Sequence, residues 1–447
     1  MDAAIGVKEL GLIYMKGDFA HSGFPEIAFG RYSECLIEKG YKVARVEQTE
    51  TPQMMEERCK KMRYSTKYDK VVAREICQIT SKGTRTLTYQ DESMGISNNF
   101  LFAICEEHIE EAASSSKYGI CFIDTSIGKF TLGQFIDDRH GSKLLTLVAL
   151  YPPVEILYDK MSITKKTLQL LNHHLTGASK EALSSQFWQP TKVMKFLEDS
   201  KIFSKEDNSL EYPETLKKML DPDDRLMETP LKDYELAFRS LGACLWYLKQ
   251  CCIEDCLLSM KLFEEYIPLD EVQKELVKSS SDFNKHMVLD GVTLQNLEIV
   301  PLLSSDNSEG TLLGTMDYCS TSFGKRMFRN WLCSPLCNPD MISNRLDAID
   351  DLVQIPEVVE ATVTLFKKIP DLERLLSKIH AYGLSRSQDH PESRAIFYEA
   401  DIYNKRKIND FLSTLEGFKQ ASEIVSLFKP HLNSLSLSFC NLAIIDI

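Results

Sequence analysis

The chain has 447 residues, a length that by itself suggests roughly three domains. Its composition, 43% hydrophobic and 26% charged, excludes a wholly disordered or fibrous protein. Asp and Glu outnumber Lys and Arg by 65 to 52, and the net charge of −13 argues against bulk electrostatic binding of nucleic acid.

The beginning of the chain carries the pattern of a small α/β unit. An apolar run that ends at Tyr14 predicts a strand, and residues 17–23 predict a polar loop. Residues 29–37 have helical spacing, with Gly40 placed as a C-terminal stop. Residues 41–47 then alternate as a strand, so we expect a strand, a helix and a strand in this order.

A second α/β unit is expected in the next part of the chain. Residues 118–124 and 129–135 are apolar runs on either side of a turn and predict a β-hairpin. A helix over 144–150 and a short strand over 154–158 follow. Residues 205–234 are rich in charge and proline, a composition typical of a linker.

Helical spacing dominates from residue 235 onward. Asn338 followed by Pro339 is typical of a helix start, with the Asn as N-cap and the Pro in the first turn. The helix that follows carries an apolar stripe formed by Ile342, Leu346, Ile349 and Val353.

A shorter helical motif lies just before that helix. Phe323, Met327 and Trp331 share one face, which predicts burial of that face. The neighbouring cations Arg326 and Arg329 are then expected to point to solvent.

Charge is distributed unevenly along the chain. Residues 1–90 contain 15 Lys and Arg against 12 Asp and Glu, whereas the remaining residues contain 37 against 53. The dense basic stretch consists of Arg58, Lys60, Lys61, Arg63, Lys67, Lys70 and Arg74. It is either a solvated face or an edge that contacts phosphates.

The cysteine pattern points to a reducing compartment. The chain has 13 cysteines and no Cys-x-x-Cys pair, and Cys244, Cys251 and Cys252 share a helical face as expected of buried thiols. His173 and His174 have no further ligand at metal-binding spacing, so we expect no metal site. No apolar run approaches the roughly 18 residues of a membrane helix and no signal peptide is visible, which predicts a soluble intracellular protein without membrane contact.

The motifs of the sequence are compatible with one enzymatic hypothesis. The chain contains no phosphate-binding loop, no G-x-S-x-G and no His-Glu-x-x-His. Asp124, with Asp137 and Asp138 nearby, could hold Mg²⁺ for phosphodiester cleavage in a ribonuclease-H-like domain. Alternatively, Asp124 caps the turn that contains Thr125 and Ser126.

Several long segments resemble proteins of the MutS family. Residues 21–32 and 40–52 strongly resemble the mismatch-binding domain. Residues 287–299, 310–335 and 371–376 resemble the MutS core. The likeness runs in the same order along essentially the whole chain, and it is greatest to the larger subunit of the eukaryotic MutSα heterodimer.

The resemblance implies a multidomain fold of α/β and α parts. It assigns residues 1–90 to a small mixed α/β mismatch-binding domain, 98–225 to a ribonuclease-H-like α/β connector and 235–447 to α-helical lever and core segments. In the family the connector has no nuclease activity. The implied function is binding of mismatched DNA in post-replicative mismatch repair in the nucleus. The implied partners are double-stranded DNA with mispairs or small loops, the smaller MutS-homologue subunit of MutSα and MutL-type repair factors.

Two features of the family are not matched in these residues. The family reads mispairs with a Phe-x-Glu motif that lies just upstream of the segment matching the start of this chain. Four other Phe-x-Glu triplets begin at Phe24, Phe196, Phe263 and Phe397, and none has the reading position. The clamp and the ATPase domain lie beyond the matched segments. We therefore expect no enzymatic activity and no cofactor in these 447 residues, ATP and Mg²⁺ belonging to the intact family.

The resemblance also implies DNA-binding residues. The loop near the mispair corresponds to Lys16, His21, Ser22 and Gly23, although His21 is equally well explained as an ordinary surface residue. Weaker candidates for phosphate contact are Lys60, Lys61, Arg63 and Lys67.

Three functional hypotheses remain at this point. The first is a non-enzymatic, weak and mostly non-specific DNA-binding portion of a mismatch-repair protein. The second is a protein-interaction scaffold with negligible DNA binding, and the third is a Mg²⁺-dependent nuclease centred on Asp124.

Overall fold

The computed structural model describes residues 1–85, 99–108, 115–204, 210–224, 228–268, 286–301, 309–384, 390–397 and 400–431. Within these residues, no helix combines the length and the apolar character needed to cross a membrane.

The first part of the chain forms two small antiparallel ladders and three helices. In chain order the elements are α1 (Asp2–Leu10), β1 (Tyr14–Met15), β2 (His21–Ser22), α2 (Phe29–Glu38), β3 (Val43–Gln48), α3 (Pro52–Lys61) and β4 (Arg74–Thr80). Strand β1 pairs with β2, and β3 pairs with β4. The expected helix and second strand are confirmed as α2 and β3.

The strand expected to lead up to Tyr14 is wrong, because most of that segment is helical. Helix α1 occupies most of that run and ends where Gly11 adopts a left-handed conformation with φ 68°, which leaves only a two-residue strand at Tyr14. A mostly apolar segment of this length fits either structure by composition, and contact with α2 and β2 favours the helix.

A six-stranded mixed sheet forms the centre of the molecule. Its strands are β5 (Phe100–His108), β6 (Ser116–Asp124), β7 (Lys129–Asp137), β8 (Pro153–Asp159), β9 (Ser179–Leu183) and β10 (Leu262–Glu265). The strand order is β10-β7-β6-β5-β8-β9. Strands β5, β6 and β7 are antiparallel, and β8, β9 and β10 pair in parallel with their neighbours. The predicted hairpin is confirmed as β6 and β7.

Helices cover both faces of this sheet. They are α4 (Ser142–Leu150), α5 (Lys165–His174), α6 (Pro190–Asp199), α7 (Glu214–Met219), α8 (Glu235–Gln250) and α9 (Glu254–Leu258). Alternate residues of β5 enter different cores, Leu101 with α6 and α8 and Phe102 with α4 and α5. Burying each such side chain contributes about 1.5–3 kcal/mol, so the two cores hold the sheet between two helical layers.

Helix α8 belongs to this sheet, whereas the sequence placed it at the start of the helical third block. It packs on β5 and β6, and the side chains of Phe238 and Leu241 are fully buried there.

Residues 205–234 are also not a linker where the structure describes them, because Tyr212 and Leu216 are buried in the same core. Charged residues and prolines dominate the composition of that stretch. Its few apolar side chains nevertheless determine how it packs.

The remaining helices follow the sheet in sequence. They are α10 (Gly291–Asn296), α11 (Leu312–Met316), α12 (Ser322–Cys333), α13 (Pro339–Val353), α14 (Pro356–Phe366), α15 (Leu372–Gly383), α16 (Pro391–Arg394) and α17 (Ala400–Phe428). The predicted start of α13 is confirmed, since Asn338 Oδ1 accepts hydrogen bonds from the backbone N–H groups of Asp340 and Met341. The apolar stripe of α13 is exposed, with Val353 at 71%.

The expected burial of one face of α12 is confirmed only in part, since Phe323 and Met327 are half-buried, and the expected exposure of its arginines is wrong. Trp331 is 38% exposed, while the Arg326 side chain is only 9% exposed and pairs with Asp371 at 2.7 Å. Arg329 donates hydrogen bonds to the backbone carbonyls of Leu150 and Ala149 at the end of α4. These two arginines therefore join α12 to its neighbours instead of facing water.

We predict that Gly119→Ala destabilises the fold strongly. A Cβ at this position would lie 2.3 Å from both the carbonyl carbon and the Cβ of Leu236, so α8 would have to move away from β6. Overpacking of this kind costs about 1–3 kcal/mol or more. Urea unfolding followed by the fluorescence of Trp246, which lies on α8, measures the change.

Gly383→Ala is the matched control. It lies at the end of α15, and an added Cβ there would meet no atom within 4 Å. Equal urea midpoints for the two variants would contradict the close packing of α8 on β6.

Candidate nucleic-acid interface

The β1–β2 hairpin displays three of the four loop candidates. Lys16, His21 and Gly23 are exposed. His21 Nδ1 is hydrogen-bonded to the carbonyl of Phe19 at 2.8 Å, which holds the ring over the hairpin. Gly17 makes room for it, because a Cβ there would lie 2.6 Å from His21 Cε1. The hairpin thus presents a cation and an imidazole beside an accessible backbone.

The two residues that end the hairpin have different roles. Ser22 is half-buried, and its hydroxyl donates to the carbonyl of Ala3 at 3.5 Å, so it faces α1. Gly23 lies in the open, and an added Cβ would meet only Met15 Sδ at 3.3 Å. The exposed Gly23 therefore leaves room for a ligand to approach the backbone, whereas the Ser22 hydroxyl is occupied.

The second set of candidates lies at the end of α3 and in the loop after it. Lys60, Lys61, Arg63 and Lys67 are all exposed. Among the described residues, none of the four makes an ion pair with a carboxylate. Charges without a partner of opposite sign project their field into solvent, where an anionic ligand is attracted to them. No hydrogen bond or ion pair between described residues joins this set to the hairpin.

Arg58, the first cation of the basic stretch, is structural. Its guanidinium grips the Glu50 carboxylate with two hydrogen bonds of 2.9 and 3.0 Å. It also donates to the backbone carbonyls of Asp69 and Val71, at 3.1 Å each. The hydrogen bonds from Arg58 lower the pKa of Glu50. Arg58 therefore braces the loop that carries Arg63 and Lys67, and its guanidinium is occupied by these partners.

Exposed aromatic side chains accompany these cations. Tyr64 is 87% exposed and Tyr68 is 78% exposed on the loop after α3. Lys67 Nζ lies 5.2 Å from the centre of the Tyr68 ring. On the hairpin, Phe19 is 84% exposed. Tyr64 and Tyr68 are not among the residues expected from the sequence, although aromatic residues interleaved with lysines are typical of nucleic-acid contact.

In each of the four other Phe-x-Glu triplets, the phenylalanine ring contacts another aromatic ring. Each ring lies 4.7–5.4 Å from a neighbouring aromatic ring, as Phe24 with Tyr32, Phe196 with Trp188, Phe263 with Phe130, and Phe397 with Tyr403. Residues 398–399 of the last triplet lie outside the described residues. Phe263 is buried, Phe196 and Phe397 are half-buried, and Phe24 is 37% exposed.

The interpretation of Asp124 as a turn cap is confirmed. Its Oδ1 accepts hydrogen bonds from the backbone N–H and the hydroxyl of Ser126, at 3.0 and 2.5 Å. Asp137 accepts from the backbone N–H groups of Lys143 and Leu144 and so caps α4. No group of three or more His, Cys, Asp or Glu in the described part of the chain is placed to hold a metal ion.

The cysteines agree in part with the expected buried face. Cys244 and Cys251 are buried, while Cys252 is half-buried at the turn after α8. Burial raises the pKa of the Cys251 thiol to about 12, which keeps it protonated.

Comparison with known families assigns this architecture. Three models match consecutive parts of the chain: MutS domain I over residues 1–88, MutS domain II over 99–255 and MutS domain III over 292–443. The chain therefore belongs to the MutS family. The second match ends beyond α8, in agreement with the packing of that helix on the central sheet.

The chain is also similar to individual mismatch-repair proteins. The chain is 50% identical over 440 residues to the human DNA mismatch repair protein Msh6, covering 96% of this chain and 32% of that protein. It is 41% identical over 436 residues to the probable Msh6 of Drosophila melanogaster, covering 96% and 36%. It is 28% identical over 427 residues to MutS of Caldanaerobacter subterraneus subsp. tengcongensis, covering 92% and 40%.

The chain thus spans about a third of the length of the eukaryotic relatives it matches. Msh6 is the larger subunit of MutSα, so the expected likeness to that subunit is confirmed.

We predict that the stability of Asp124→Asn relative to wild type increases as the pH rises from acid to neutral. Burial raises the pKa of Asp124, so the protonated carboxyl favours folding and this contribution is lost as pH rises through the folded-state pKa. The variant has no charge to bury and keeps an acceptor for Ser126. The difference in free energy of unfolding from wild type, measured from about pH 4 to about pH 7, should grow in favour of the variant.

The same variant examines the nuclease hypothesis. Both proteins are incubated with duplex DNA and Mg²⁺, and neither should cleave it. Metal-dependent cleavage by wild type that the variant lacks would show that Asp124 has a catalytic role besides capping the turn.

Proposed function

We propose that this chain is the DNA-contacting part of a MutS-type subunit that acts in mismatch repair. The observation that carries the proposal is the set of exposed cations at the end of α3 and on the loop after it, which Arg58 braces, in the region matched by MutS domain I. The hairpin with Lys16, His21 and Gly23 supplies a second contact. The hydroxyl of Ser22 connects the hairpin to α1.

The net negative charge of the chain is compatible with DNA binding by its first domain. At physiological salt, charges separated by more than about 8 Å are largely screened, so a phosphate responds to nearby groups and not to the net charge. The first 90 residues have a local excess of three positive charges, and the acidic excess lies in the other domains.

For these 447 residues taken alone, we infer weak DNA binding without mispair discrimination. None of the four Phe-x-Glu triplets has the position of the family's reading motif, and each phenylalanine contacts another aromatic ring, so none is proposed to supply the intercalating aromatic. Stacking of a base on such a ring contributes about 1–3 kcal/mol. Contacts to phosphates alone bind mismatched and matched duplexes alike.

The remaining family properties are part of the same proposal. The chain itself acts without enzymatic activity or a bound cofactor, and ATP and Mg²⁺ serve the intact family. The partners are the smaller MutS-homologue subunit and MutL-type factors, and the location is the nucleus. The order of β7, β6, β5, β8 and β9, with β6 antiparallel to its neighbours, supports a ribonuclease-H-like connector. The helices from α10 onward support the lever and core assignment.

A second candidate is an interaction scaffold with negligible DNA binding. The observation that favours it is the exposed apolar stripe of α13, where Leu346 is 56% and Ile349 is 54% exposed. Exposed apolar patches of this kind mark protein contacts.

We predict that the double variant Lys60→Gln, Lys61→Gln binds duplex DNA more weakly and with a smaller salt dependence. Each phosphate contact contributes a slope of about 0.9 in the plot of log affinity against log salt, so the slope should fall by about two. Fluorescence anisotropy with a labelled duplex at several salt concentrations measures both quantities.

Lys367→Gln with Lys368→Gln is the matched control. This pair is also adjacent, exposed and at the C-terminal end of a helix, but it lies outside the first domain. An equal loss of affinity in both double variants would mean that binding follows total charge and not the proposed surface.

We also predict equal affinity for a G·T duplex and its matched control, with strong salt dependence for both. The same anisotropy measurement compares the two duplexes at two salt concentrations. A clear preference for the mismatch would show that these residues contain a reader. Absence of binding at low salt would favour the interaction scaffold.

A further inference from the structure

The loop between α3 and β4, residues 62–73, carries two tyrosines whose rings lie largely in solvent. We call it the tyrosine loop. Tyr64 is 87% exposed and Tyr68 is 78% exposed. Lys67 Nζ lies 5.2 Å from the centre of the Tyr68 ring, and this contact leaves most of the ring uncovered. An aromatic ring in water lacks the favourable burial that such side chains usually gain. Both rings are therefore available to a ligand.

Hydrogen bonds hold the tyrosine loop in a defined shape. The backbone N–H of Asp69 donates to the carbonyl of Thr66 at 3.1 Å and closes a turn. The Asp69 carboxylate accepts in return from the backbone N–H and the hydroxyl of Thr66, at 2.7 and 2.6 Å. Arg58 donates to the carbonyls of Asp69 and Val71. Tyr68 is the third residue of this turn, so its backbone is fixed before a ligand binds, which reduces the entropy lost on binding.

Exposed cations accompany the two rings. Lys61 and Arg63 lie within three residues of Tyr64, and Lys67 is adjacent to Tyr68. In the described part of the chain, none of these three cations pairs with a carboxylate. Such cations attract the phosphates of a nucleic acid, and a ring beside them can then meet the bases of the same strand.

Exposure alone does not give this combination, as Tyr318 in the third domain shows. It is 90% exposed. Its neighbour Asp317 is acidic and pairs with Lys325 at 3.8 Å. A single exposed ring in such surroundings is ordinary at a protein surface. The tyrosine loop differs because its two rings are four positions apart and have cations beside them.

We propose that Tyr64 and Tyr68 form a stacking platform for unpaired bases of single-stranded DNA. Lys61, Arg63 and Lys67 contact the phosphates of that strand. Every base has a flat face, so the platform accepts unpaired bases with little regard to their sequence. The inference rests on the proposed DNA-binding function and names a second form of DNA as a ligand of the same surface.

Duplex DNA does not offer the same contact. Each base of a duplex is covered by its neighbours in the stack, and exposing its face requires unfavourable unstacking. The bases of a single strand have faces that aromatic rings can reach. Both forms share the phosphate contacts, so the tyrosines distinguish them. A G·T pair keeps both bases in the stack, and the platform therefore treats it like a matched pair.

The first experiment compares three labelled ligands by fluorescence anisotropy at one salt concentration. They are an oligothymidylate, an abasic strand with the same number of phosphates, and a matched duplex. We expect wild type to bind the oligothymidylate about tenfold more tightly than the abasic strand, because the abasic strand has nothing to stack on the rings. Equal affinity for the two single strands would overturn the proposal.

The second experiment removes the rings. The double variant Tyr64→Leu, Tyr68→Leu keeps apolar side chains but loses the flat surfaces, and both positions are exposed, so folding is not endangered. We expect its affinity for the oligothymidylate to fall about tenfold, to that for the abasic strand, with an unchanged salt slope. Its affinity for the duplex should stay within twofold of wild type. An equal loss for oligothymidylate and duplex would overturn the stacking role.

Two further variants serve as controls. Tyr64→Phe with Tyr68→Phe keeps both rings and should bind the oligothymidylate as wild type does, since stacking does not need the hydroxyl. Loss of affinity in this variant would show that the hydroxyls and not the ring faces make the contact. Tyr318→Leu removes an equally exposed ring elsewhere and should leave binding of all three ligands unchanged. An equal loss in Tyr318→Leu would overturn the assignment to the tyrosine loop.

The three ligands also separate this inference from the proposed function. Duplex binding without a preference for the oligothymidylate over the abasic strand would overturn the platform and leave the proposed function intact. Absence of duplex binding at low salt would overturn the proposed function. The comparison of the two single strands would then still decide the platform.

Discussion

The end of α8 is the point on which the arrangement of the three domains depends. The backbone carbonyl of Cys251 accepts the N–H of Ile79 from the first domain at 3.1 Å. The next carbonyl, of Cys252, accepts a hydrogen bond from Nε2 of His390, the N-cap residue of α16 in the third domain. Both carbonyls lie beyond the hydrogen-bonded body of the helix, where such groups need partners from elsewhere. A helix buried in the second domain thus supplies acceptors to the other two.

A buried carboxylate strengthens the same junction. Glu155 on β8 accepts hydrogen bonds from the hydroxyl of Ser81, the backbone N–H of Gly83 at 3.1 Å and the hydroxyl of Tyr247 at 2.7 Å. Burying a carboxylate is unfavourable unless hydrogen bonds replace water, and three donors from two other segments do so here. Gly83 is required for the approach, because an added Cβ would lie 2.7 Å from Glu155 Cβ. The chain leaving β4 is therefore fixed to the central sheet.

Several arginines of this chain pair with carboxylates inside the fold, while two adjacent lysines of the basic stretch stay exposed. Arg45, Arg58 and Arg326 are turned inward and hold carboxylates, whereas Lys60 and Lys61 remain in solvent. The planar guanidinium makes several directed hydrogen bonds at once and is less strongly hydrated than an ammonium group, so it tolerates burial better. The basic stretch after residue 57 is thus one structural brace followed by exposed charges. A sequence shows such a stretch as a single run, because carboxylate partners are found only in the folded chain.

The sequence by itself determined what depends on neighbours along the chain and on long matched segments. The β6–β7 hairpin, the Asn338 cap of α13 and the membership of the MutS family were all predicted in this way. The tertiary structure decided the packing of α8 on the sheet, the burial of residues first assigned to a linker and the inward turn of Arg326. Caps and turns are made by residues a few positions apart, so their pattern is visible in the sequence. Burial and ion pairing join residues tens to hundreds of positions apart, and only the folded chain determines which of these meet.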